Sequence, residues 1–216
     1  MTQVDHMIVL PGGGYGMHAD HEAEPVADWL RGLGIRASVF RYPVLTRHPG
    51  PLAAVRAAVV AERERGAQRV GLLGFSAGGH AAAHAALAPG ASEAERVDIA
   101  VTAYPVVSMQ LDTHQGSREN LIGPDAADGL RAETSADRLV TPEAPPFFLW
   151  HTAEDDAVPV AHSLLLASAL SAARVPYELH VYERGEHGIG LAEESGTAAD
   201  WTSACARWLA SHGWGG

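Results

Sequence analysis

Short apolar runs alternate along the chain with longer stretches in which apolar residues recur every three or four positions. A short continuous apolar run bounded by glycine or proline is typical of a buried β-strand. The run HMIVL at residues 6–10, which ends at a proline and a glycine cluster, is the first example. By the same criterion, the predicted strands are residues 6–10, 35–42, 69–75, 99–107, 147–152 and 177–182.

The longer stretches between these strands predict helices. In the first of them, apolar residues follow a helical spacing from Val26 to Leu33, and Gly34 then ends the helix. Residues 108–146 are different, because they are rich in Gly, Pro, Asp and Asn and show no clear period. The predicted helices are residues 22–33, 52–65, 77–88, 160–173 and 198–211.

This alternation predicts the fold class. Strands that alternate with helices pair in parallel through right-handed crossovers, and helices then cover both faces of the sheet. We therefore expect an α/β fold, a three-layer αβα sandwich with a six-stranded parallel core. Ligand sites in such sheets lie beyond the carboxyl ends of the strands. The loops that follow residues 10, 75, 152 and 182 are consequently the places where candidate chemistry is sought.

Composition narrows the classes of partner. The chain has 216 residues, of which 47% are hydrophobic and 19% charged. This length and composition favour a single globular domain that spans residues 1–216. Within it, residues 108–146 are a candidate small cap or loop insertion. The formal net charge of -11 disfavours nucleic acids and anionic membranes, because both need clustered Lys and Arg. A small molecule remains the expected partner, and the sequence does not indicate an oligomeric state.

The cysteine content and the first residues bear on the compartment. Cys205 is the one cysteine of the sequence, so an internal disulfide is excluded. Trp201, Trp208 and Leu209 around it indicate a packed helix face. Residues 1–10 carry neither a basic segment nor a long apolar run, so we expect no signal peptide or membrane span and a cytoplasmic location.

A candidate nucleophile follows the third predicted strand. Gly74-Phe75-Ser76-Ala77-Gly78 is a G-x-S-x-G match that lies between an apolar strand and an Ala-rich helix. A serine on such a tight turn has a strained backbone, and larger residues two positions away on either side would clash. The turn exposes the hydroxyl near the amino end of the helix, where negative charge is favoured. We therefore predict that Ser76 is a nucleophile.

A nucleophilic serine needs a base, and the base needs an orienting carboxylate. Glu154, Asp155 and Asp156 all lie in the loop after the fifth predicted strand and are candidates for the carboxylate. His187, between glycines in the loop after the sixth strand, is the predicted base. Its rivals are less well placed, since His180 lies inside a predicted strand and His151 ends one.

A glycine run after the first predicted strand is the candidate oxyanion hole. Acyl transfer requires backbone N–H groups directed at the position where the carbonyl oxygen becomes negative. In the run PGGGYG at residues 11–16, we assign one donor to Gly13 or Gly14 and a second to Ala77, and we expect Tyr15 to contact the substrate. The alternative, a dinucleotide-binding turn, requires a glycine where the chain has Met17.

Together these motifs resemble the α/β-hydrolase superfamily, and most closely its esterase branch, which includes acetyl-xylan and feruloyl-type carbohydrate esterases. The matching segments are PGGGY, GFSAGGH, DDAVP and GEHG, and the resemblance extends from Val4 to Trp208. It implies the chain order Ser, acid, His. It also favours Asp155 as the acid, because a D-x-x-V-P arrangement is similar to the acid loop of this fold. Asp156 remains the alternative.

The sequence departs from that family at two points. Pro11 stands where the family has a histidine, so any role of that side chain is lost although the backbone donors remain. The sequence also begins directly at the strand before the glycine run, so we expect a core without the two leading strands of the family. We expect the segment that begins at His114 to border the pocket.

These expectations lead to a serine esterase that hydrolyses short acyl esters, especially acetyl esters. The resemblance alone suggests esters of sugars or xylo-oligosaccharides. The alternatives are a small peptidase, a formamidase, a lactone hydrolase similar to dienelactone hydrolase, and a catalytically silent binding protein. No metal or organic cofactor is expected. His80 and His84 have a spacing that can bind zinc, but the glutamate of H-E-x-x-H and a third ligand are missing.

Overall fold

In the computed structural model, which describes residues 4–215, six parallel strands form one sheet. The sheet confirms the predicted α/β class and the predicted number of strands. The predicted domain spans residues 1–216, of which residues 1–3 and 216 lie outside the described residues. Residues 1–3 also belong to the segment 1–10 in which no signal peptide was expected. In chain order the strands are β1 (Asp5–Leu10), β2 (Arg36–Val39), β3 (Arg69–Phe75), β4 (Ile99–Ala103), β5 (Phe147–Thr152) and β6 (Tyr177–Tyr182), and across the sheet they run β2-β1-β3-β4-β5-β6.

Helices cover both faces of this sheet. They are α1 (Glu24–Gly32), α2 (Gly50–Glu64), α3 (Ala77–Leu87), α4 (Gln115–Ile122), α5 (Asp128–Glu133), α6 (Ala161–Ala172) and α7 (Asp200–Ser211). The side chains of β1 alternate between the two faces. Met7 and Val9 pack with α1 and α7, whereas Ile8 and Leu10 pack with α2 and α3. Because both faces of the four central strands β1, β3, β4 and β5 are buried, these strands are largely continuous apolar runs, which is why they were predictable from the sequence.

Two predicted strands are shorter in the structure. The strand predicted over 35–42 ends at Val39, and Tyr42 beyond it donates its hydroxyl hydrogen to the Pro11 carbonyl, 2.8 Å away. The strand predicted over 99–107 ends at Ala103. There, Tyr104 has a φ of 36° and turns the chain out of the sheet. After Ala103 the apolar composition continues because residues 104–107 are also buried, whereas after Val39 only Tyr42 of the predicted strand is buried.

Residues 108–146 contain two helices, α4 and α5, that were not predicted. Both are short, and α4 has the sequence QGSRENLI, in which only the last two residues are apolar. The side chain of His114, rather than an apolar stripe, marks the beginning of α4, because it accepts a hydrogen bond from the Ser117 amide.

Two further expectations concern burial and the membrane. Cys205 is fully buried on α7 among the apolar side chains of one sheet face, as predicted, and burial raises the pKa of its thiol. Among the helices between residues 4 and 215, none combines the length and the apolar character that a bilayer crossing requires.

Candidate active site

The turn between β3 and α3 holds Ser76 in a strained backbone conformation, with a φ of 52°. Positions 74 and 78, on either side of Ser76, require glycine because backbone atoms approach them closely. A Cβ on Gly74 would lie 2.1 Å from the Gly78 carbonyl oxygen, and a Cβ on Gly78 would lie 2.1 Å from the Leu10 oxygen. The Ser76 amide also donates to the Ala103 carbonyl at 2.9 Å, which fixes the turn at the carboxyl end of the sheet.

Three residues from three loops form one hydrogen-bonded series. His187 Nε2 lies 2.8 Å from Ser76 Oγ, and His187 Nδ1 lies 2.7 Å from Asp155 Oδ2. The structure thus brings together the three residues predicted as nucleophile, base and acid. In this series the hydroxyl can donate to Nε2 while the protonated Nδ1 donates to the carboxylate, which is the arrangement that activates a serine.

Asp155 is placed to accept several hydrogen bonds at once. Its Oδ1 accepts from the amides of Ala157 at 3.0 Å and Val158 at 2.8 Å, and His151 Nε2 lies 3.2 Å from Oδ2. Burial alone would raise the pKa of this carboxyl. The hydrogen bonds from its two histidine neighbours and from the Val158 amide outweigh burial, so the pKa of Asp155 lies well below its ordinary value. The side chain is therefore a carboxylate at neutral pH.

The competing acids and histidines have other contacts. Asp156 is exposed, and Glu154 is exposed with a carboxylate oxygen 3.3 Å from the Gly185 amide. His151 is buried and bonded to Ser163 Oγ and the Val158 carbonyl. His180 stacks on Phe148 and lies 2.6 Å from Glu178.

The loop that carries His187 (residues 183–190) is held by residues that the sequence did not single out. The Gly190 amide donates to the Tyr104 hydroxyl at 2.8 Å, and Trp201 Nε1 donates to the Gly190 carbonyl at 3.1 Å. His21 Nε2 donates to the Gly188 carbonyl at 2.7 Å. The Tyr104 ring also meets the His187 imidazole edge-on, with 5.0 Å between ring centroids. These contacts fix the position and the orientation of the His187 imidazole.

The glycine loop (residues 11–17) runs directly beside the nucleophile. A Cβ on Gly12 would lie 3.0 Å from Ser76 Cβ, so only glycine allows this approach. Gly13 and Gly14 have φ values of 127° and 65° and line the same cavity as Ser76. The amides of Gly13, Gly14 and Ala77 donate no hydrogen bond to any residue in the range 4–215. They remain available for a ligand.

Glu22 is a buried carboxylate that links this loop to the rest of the site. Only 2% of the residue is exposed. One oxygen accepts from the Gly12 amide at 2.7 Å, and the other accepts from the Tyr104 hydroxyl at 2.7 Å. Glu22 was not predicted from the sequence, because the apolar pattern does not distinguish it from the exposed Glu24 two positions later. Only its place directly before a helix and after the glycine run could have drawn attention to it.

The position of Tyr15 corrects a prediction. The side chain, predicted to contact the substrate, is 1% exposed, and its hydroxyl lies 2.7 Å from His80 Nδ1. His80 Nε2 lies 2.7 Å from the Thr134 carbonyl, so both ring nitrogens have partners and neither is free for zinc. Tyr15 points into the core because its φ of 58° turns the side chain away from the cavity. It anchors the glycine loop to α3.

A cavity of about 400 Å³ opens over the hydrogen-bonded series. As expected from the sequence, His114 borders it, together with Asn120 of α4. Two larger clefts, of about 530 and 510 Å³, share no residue with it. The first is lined by Asp98 and Pro146, which directly precede β4 and β5, so it lies at the opposite, amino end of the sheet. The second adjoins it and shares Ala91 and Glu143 with it. We therefore assign the candidate site to the smaller cavity. Its lining residues are Gly13, Gly14, Met17, Ala19, His21, Glu22, Ser76, His114, Asn120, His187 and Gly188.

Comparison with known proteins places these features in context. The sequence profile of the prolyl oligopeptidase family matches residues 52–213. The chain is 31% identical over 210 residues to endo-1,4-beta-xylanase B of Butyrivibrio fibrisolvens, a match that covers 88% of this chain and 33% of that protein. It is 28% identical over 205 residues to an acetylxylan esterase of Xylanibacter ruminicola, covering 86% of this chain and 41% of that protein. The chain thus spans a third to two-fifths of the length of these curated relatives.

Solved structures match over nearly their whole length. The structure of an acetyl ester-xyloside bifunctional hydrolase from Caldicellulosiruptor lactoaceticus superimposes with a TM-score of 0.94 at 39% identity, covering 100% of this chain and 85% of that one. A carboxylesterase from Lactobacillus plantarum gives a TM-score of 0.87 at 27% identity, covering 100% and 88%. These neighbours confirm the predicted resemblance to α/β-hydrolases of the esterase type.

Proposed function

Because the chain belongs to the prolyl oligopeptidase family of α/β-hydrolases, we propose that it is a serine esterase that hydrolyses short-chain acyl esters, above all acetyl esters. The observation that carries the proposal is the continuous hydrogen-bonded series from Ser76 Oγ through His187 to the buried Asp155. An arrangement of this kind has the groups required for acyl transfer in the order in which they act.

In the first half of the reaction, Ser76 Oγ attacks the ester carbonyl carbon while His187 Nε2 takes the hydroxyl proton. The carbonyl oxygen becomes an oxyanion and accepts hydrogen bonds from the free amides of the glycine loop and of Ala77. When the tetrahedral intermediate collapses, the bond from carbon to the alcohol oxygen breaks. His187 returns its proton to that oxygen, so the alcohol leaves neutral and the acyl group stays on Ser76.

In the second half, a water molecule replaces the alcohol. His187 takes a proton from the water, and the resulting hydroxide attacks the acyl carbon. The Ser76 oxygen then leaves with the proton from His187, which releases the carboxylic acid and restores the hydroxyl. Throughout, the Asp155 carboxylate keeps the proton of the neutral imidazole on Nδ1 and stabilises the imidazolium. Every step uses groups of this chain.

The names of the relatives support the choice of the acyl group and of the alcohol to which it is esterified. An acetylxylan esterase, an acetyl ester-xyloside hydrolase and a carboxylesterase are among the similar proteins. We therefore infer acetyl esters of sugars or xylo-oligosaccharides as the substrate class. Cleavage of peptides or small amides is the second candidate, favoured by the name of the matching family.

The test compares two acetyl compounds that differ in the leaving atom, p-nitrophenyl acetate and p-nitroacetanilide, each measured against its uncatalysed rate. The proposal expects acceleration of the ester to exceed that of the anilide, and p-nitrophenyl octanoate to react more slowly than the acetate. Release of acetate from acetylated xylo-oligosaccharides then tests the sugar preference. Faster relative cleavage of the anilide or of a peptide would favour the second candidate, and no turnover of any compound would favour a silent binding protein.

A further inference from the structure

His114 lies at the rim of the active-site cavity, where it both caps a helix and touches the glycine loop. Its ring is held at the amino end of α4 by Ser117. On the other side, a Cβ on Gly14 would lie 3.2 Å from His114 Cε1, so the ring packs against the backbone that carries the candidate oxyanion donors. Two independent contacts therefore fix the orientation of this imidazole.

The contacts with Ser117 also determine which ring nitrogen carries the proton. The Ser117 amide lies 3.2 Å from His114 Nδ1, and an amide N–H can only donate. Nδ1 is therefore an acceptor, and the Ser117 hydroxyl, 2.9 Å away, is a second neighbour of the same atom. Burial and the nearby His187 lower the pKa of His114, so the ring is neutral at neutral pH. Its proton is then on Nε2.

The Nε2–H group of His114 donates to no acceptor in residues 4–215, and it is not among the polar atoms sealed in the interior. Nδ1 faces Ser117 and Cε1 faces Gly14, whereas Nε2 keeps accessible surface in a residue that lines the cavity. By contrast, His21 and Asn120, which line the same cavity, each donate to a backbone carbonyl.

We propose that His114 is a specificity-determining residue whose Nε2–H donates a hydrogen bond to a hydroxyl or ether oxygen in the alcohol part of the ester. This inference rests on the proposed esterase function. An acetyl group offers no acceptor besides its carbonyl oxygen, which the backbone amides serve. The acceptor for His114 therefore belongs to the alcohol, and the preferred alcohols carry an oxygen next to the ester, as sugars and other polyols do.

The experiment compares two small esters of equal size. Ethylene glycol monoacetate ends in a hydroxyl where propyl acetate ends in a methyl group, and acyl migration in the glycol ester regenerates the same compound. Both are assayed with the wild-type protein, with His114→Asn and with Ser117→Ala. Asparagine retains the helix cap but is too short to present the same donor. Ser117→Ala retains the backbone N–H that fixes the His114 tautomer. Thermal melting shows whether the fold is preserved.

We expect the wild-type protein to favour the glycol ester in kcat/KM by about three- to tenfold, the factor that one neutral hydrogen bond contributes. His114→Asn should abolish this preference, because kcat/KM should fall further for the glycol ester than for propyl acetate, while Ser117→Ala should retain the preference. An equal loss for both esters in His114→Asn, or an undiminished preference, would overturn the assignment. If the wild-type protein hydrolyses neither ester nor p-nitrophenyl acetate, the esterase proposal fails first, which distinguishes the two outcomes.

Discussion

His187 Nε2 lies 2.8 Å from Ser76 Oγ, although 111 residues separate the two side chains in the sequence. The contact exists because parallel strands direct all their carboxyl ends to one edge of the sheet, where the loops after β3 and β6 meet. At this distance the imidazole can take the serine proton without rearrangement. The proposed mechanism depends on this contact and on the groups that support it.

The first prediction concerns the orienting acid. Asp155→Asn replaces an acceptor of the His187 Nδ1 proton by an amide that can favour the wrong tautomer. We expect kcat for p-nitrophenyl acetate to fall by about 10⁴-fold, the loss that the same substitution causes in a Ser-His-Asp protease. Asp156→Asn is the matched control, because Asp156 is adjacent but exposed, and it should keep most of the activity. Equal losses in both variants would mean that the loop as a whole, and not the Asp155 carboxylate, matters.

The second prediction concerns Glu22, which accepts hydrogen bonds from the glycine loop and from Tyr104. In Glu22→Gln an NH₂ group faces one of these two donors, so one buried hydrogen bond is lost. We expect kcat to fall by roughly 10- to 100-fold, the range for a hydrogen bond to a charged group, with a much smaller change in KM. Glu24→Gln, at an exposed position, is the control. If Glu22→Gln has the same kcat as Glu24→Gln, the hydrogen bonds of Glu22 do not contribute to catalysis.

The third prediction tests the close approach of the glycine loop to the nucleophile. In Gly12→Ala the new Cβ would lie 2.7 Å from Glu22 Oε2 and 3.0 Å from Ser76 Cβ, so the loop must shift. Even a small displacement of the groups in an active site can lower the rate on the order of 100-fold. Gly32→Ala is the control, because a Cβ there meets nothing within 4 Å. It should keep full activity and raise the free energy of unfolding by up to about 1 kcal/mol. Wild-type rates in Gly12→Ala would contradict the packing argument.

The fourth prediction concerns pH and stability. Burial lowers the pKa of His80 to about 4, although its bond to the Thr134 carbonyl opposes the shift. The unfolded histidine has a pKa of about 6.5. Between these values the unfolded chain binds a proton that the folded chain does not. The free energy of unfolding should therefore decrease as the pH falls from about 6.5 to about 4, and this contribution should level off below that.

Denaturant unfolding at a series of pH values measures this effect. His80→Gln removes one titrating group, so the dependence of its unfolding free energy on pH should be shallower than that of the wild type by up to about 1.4 kcal/mol per pH unit. The comparison uses the slope rather than the stability itself, because the substitution also changes the bond to Tyr15. Identical slopes would show that the pKa of His80 does not differ between the folded and unfolded states.

The sequence allowed the sheet and the nucleophile turn to be predicted because both are encoded locally. The run RVGLLGF is apolar on both faces, and the glycines around Ser76 are required by contacts within the turn. The preference for Asp155 over its acidic neighbours came from the resemblance of the D-x-x-V-P arrangement at residues 155–159 to the acid loop of the family. In the structure that same loop supplies the amides of Ala157 and Val158 to the carboxylate.

Other features depend on contacts between distant segments and could not be predicted in this way. Glu22 and Tyr104 are 82 residues apart and are joined by one hydrogen bond. The direction of the Tyr15 side chain depends on a positive φ and on a histidine 65 residues away. The helix α4 begins with a histidine cap in place of an apolar stripe. None of these relationships leaves a periodic pattern in the sequence.

The most direct test of the proposed mechanism identifies the nucleophilic residue. The wild-type protein is treated with a serine-directed alkyl phosphonate, residual activity toward p-nitrophenyl acetate is followed, and peptide mass spectrometry locates the adduct. We expect one adduct, on Ser76, that forms in step with the loss of activity, and neither labelling nor turnover in Ser76→Ala. An adduct on another residue, or a Ser76→Ala protein that still hydrolyses the ester, would contradict the account.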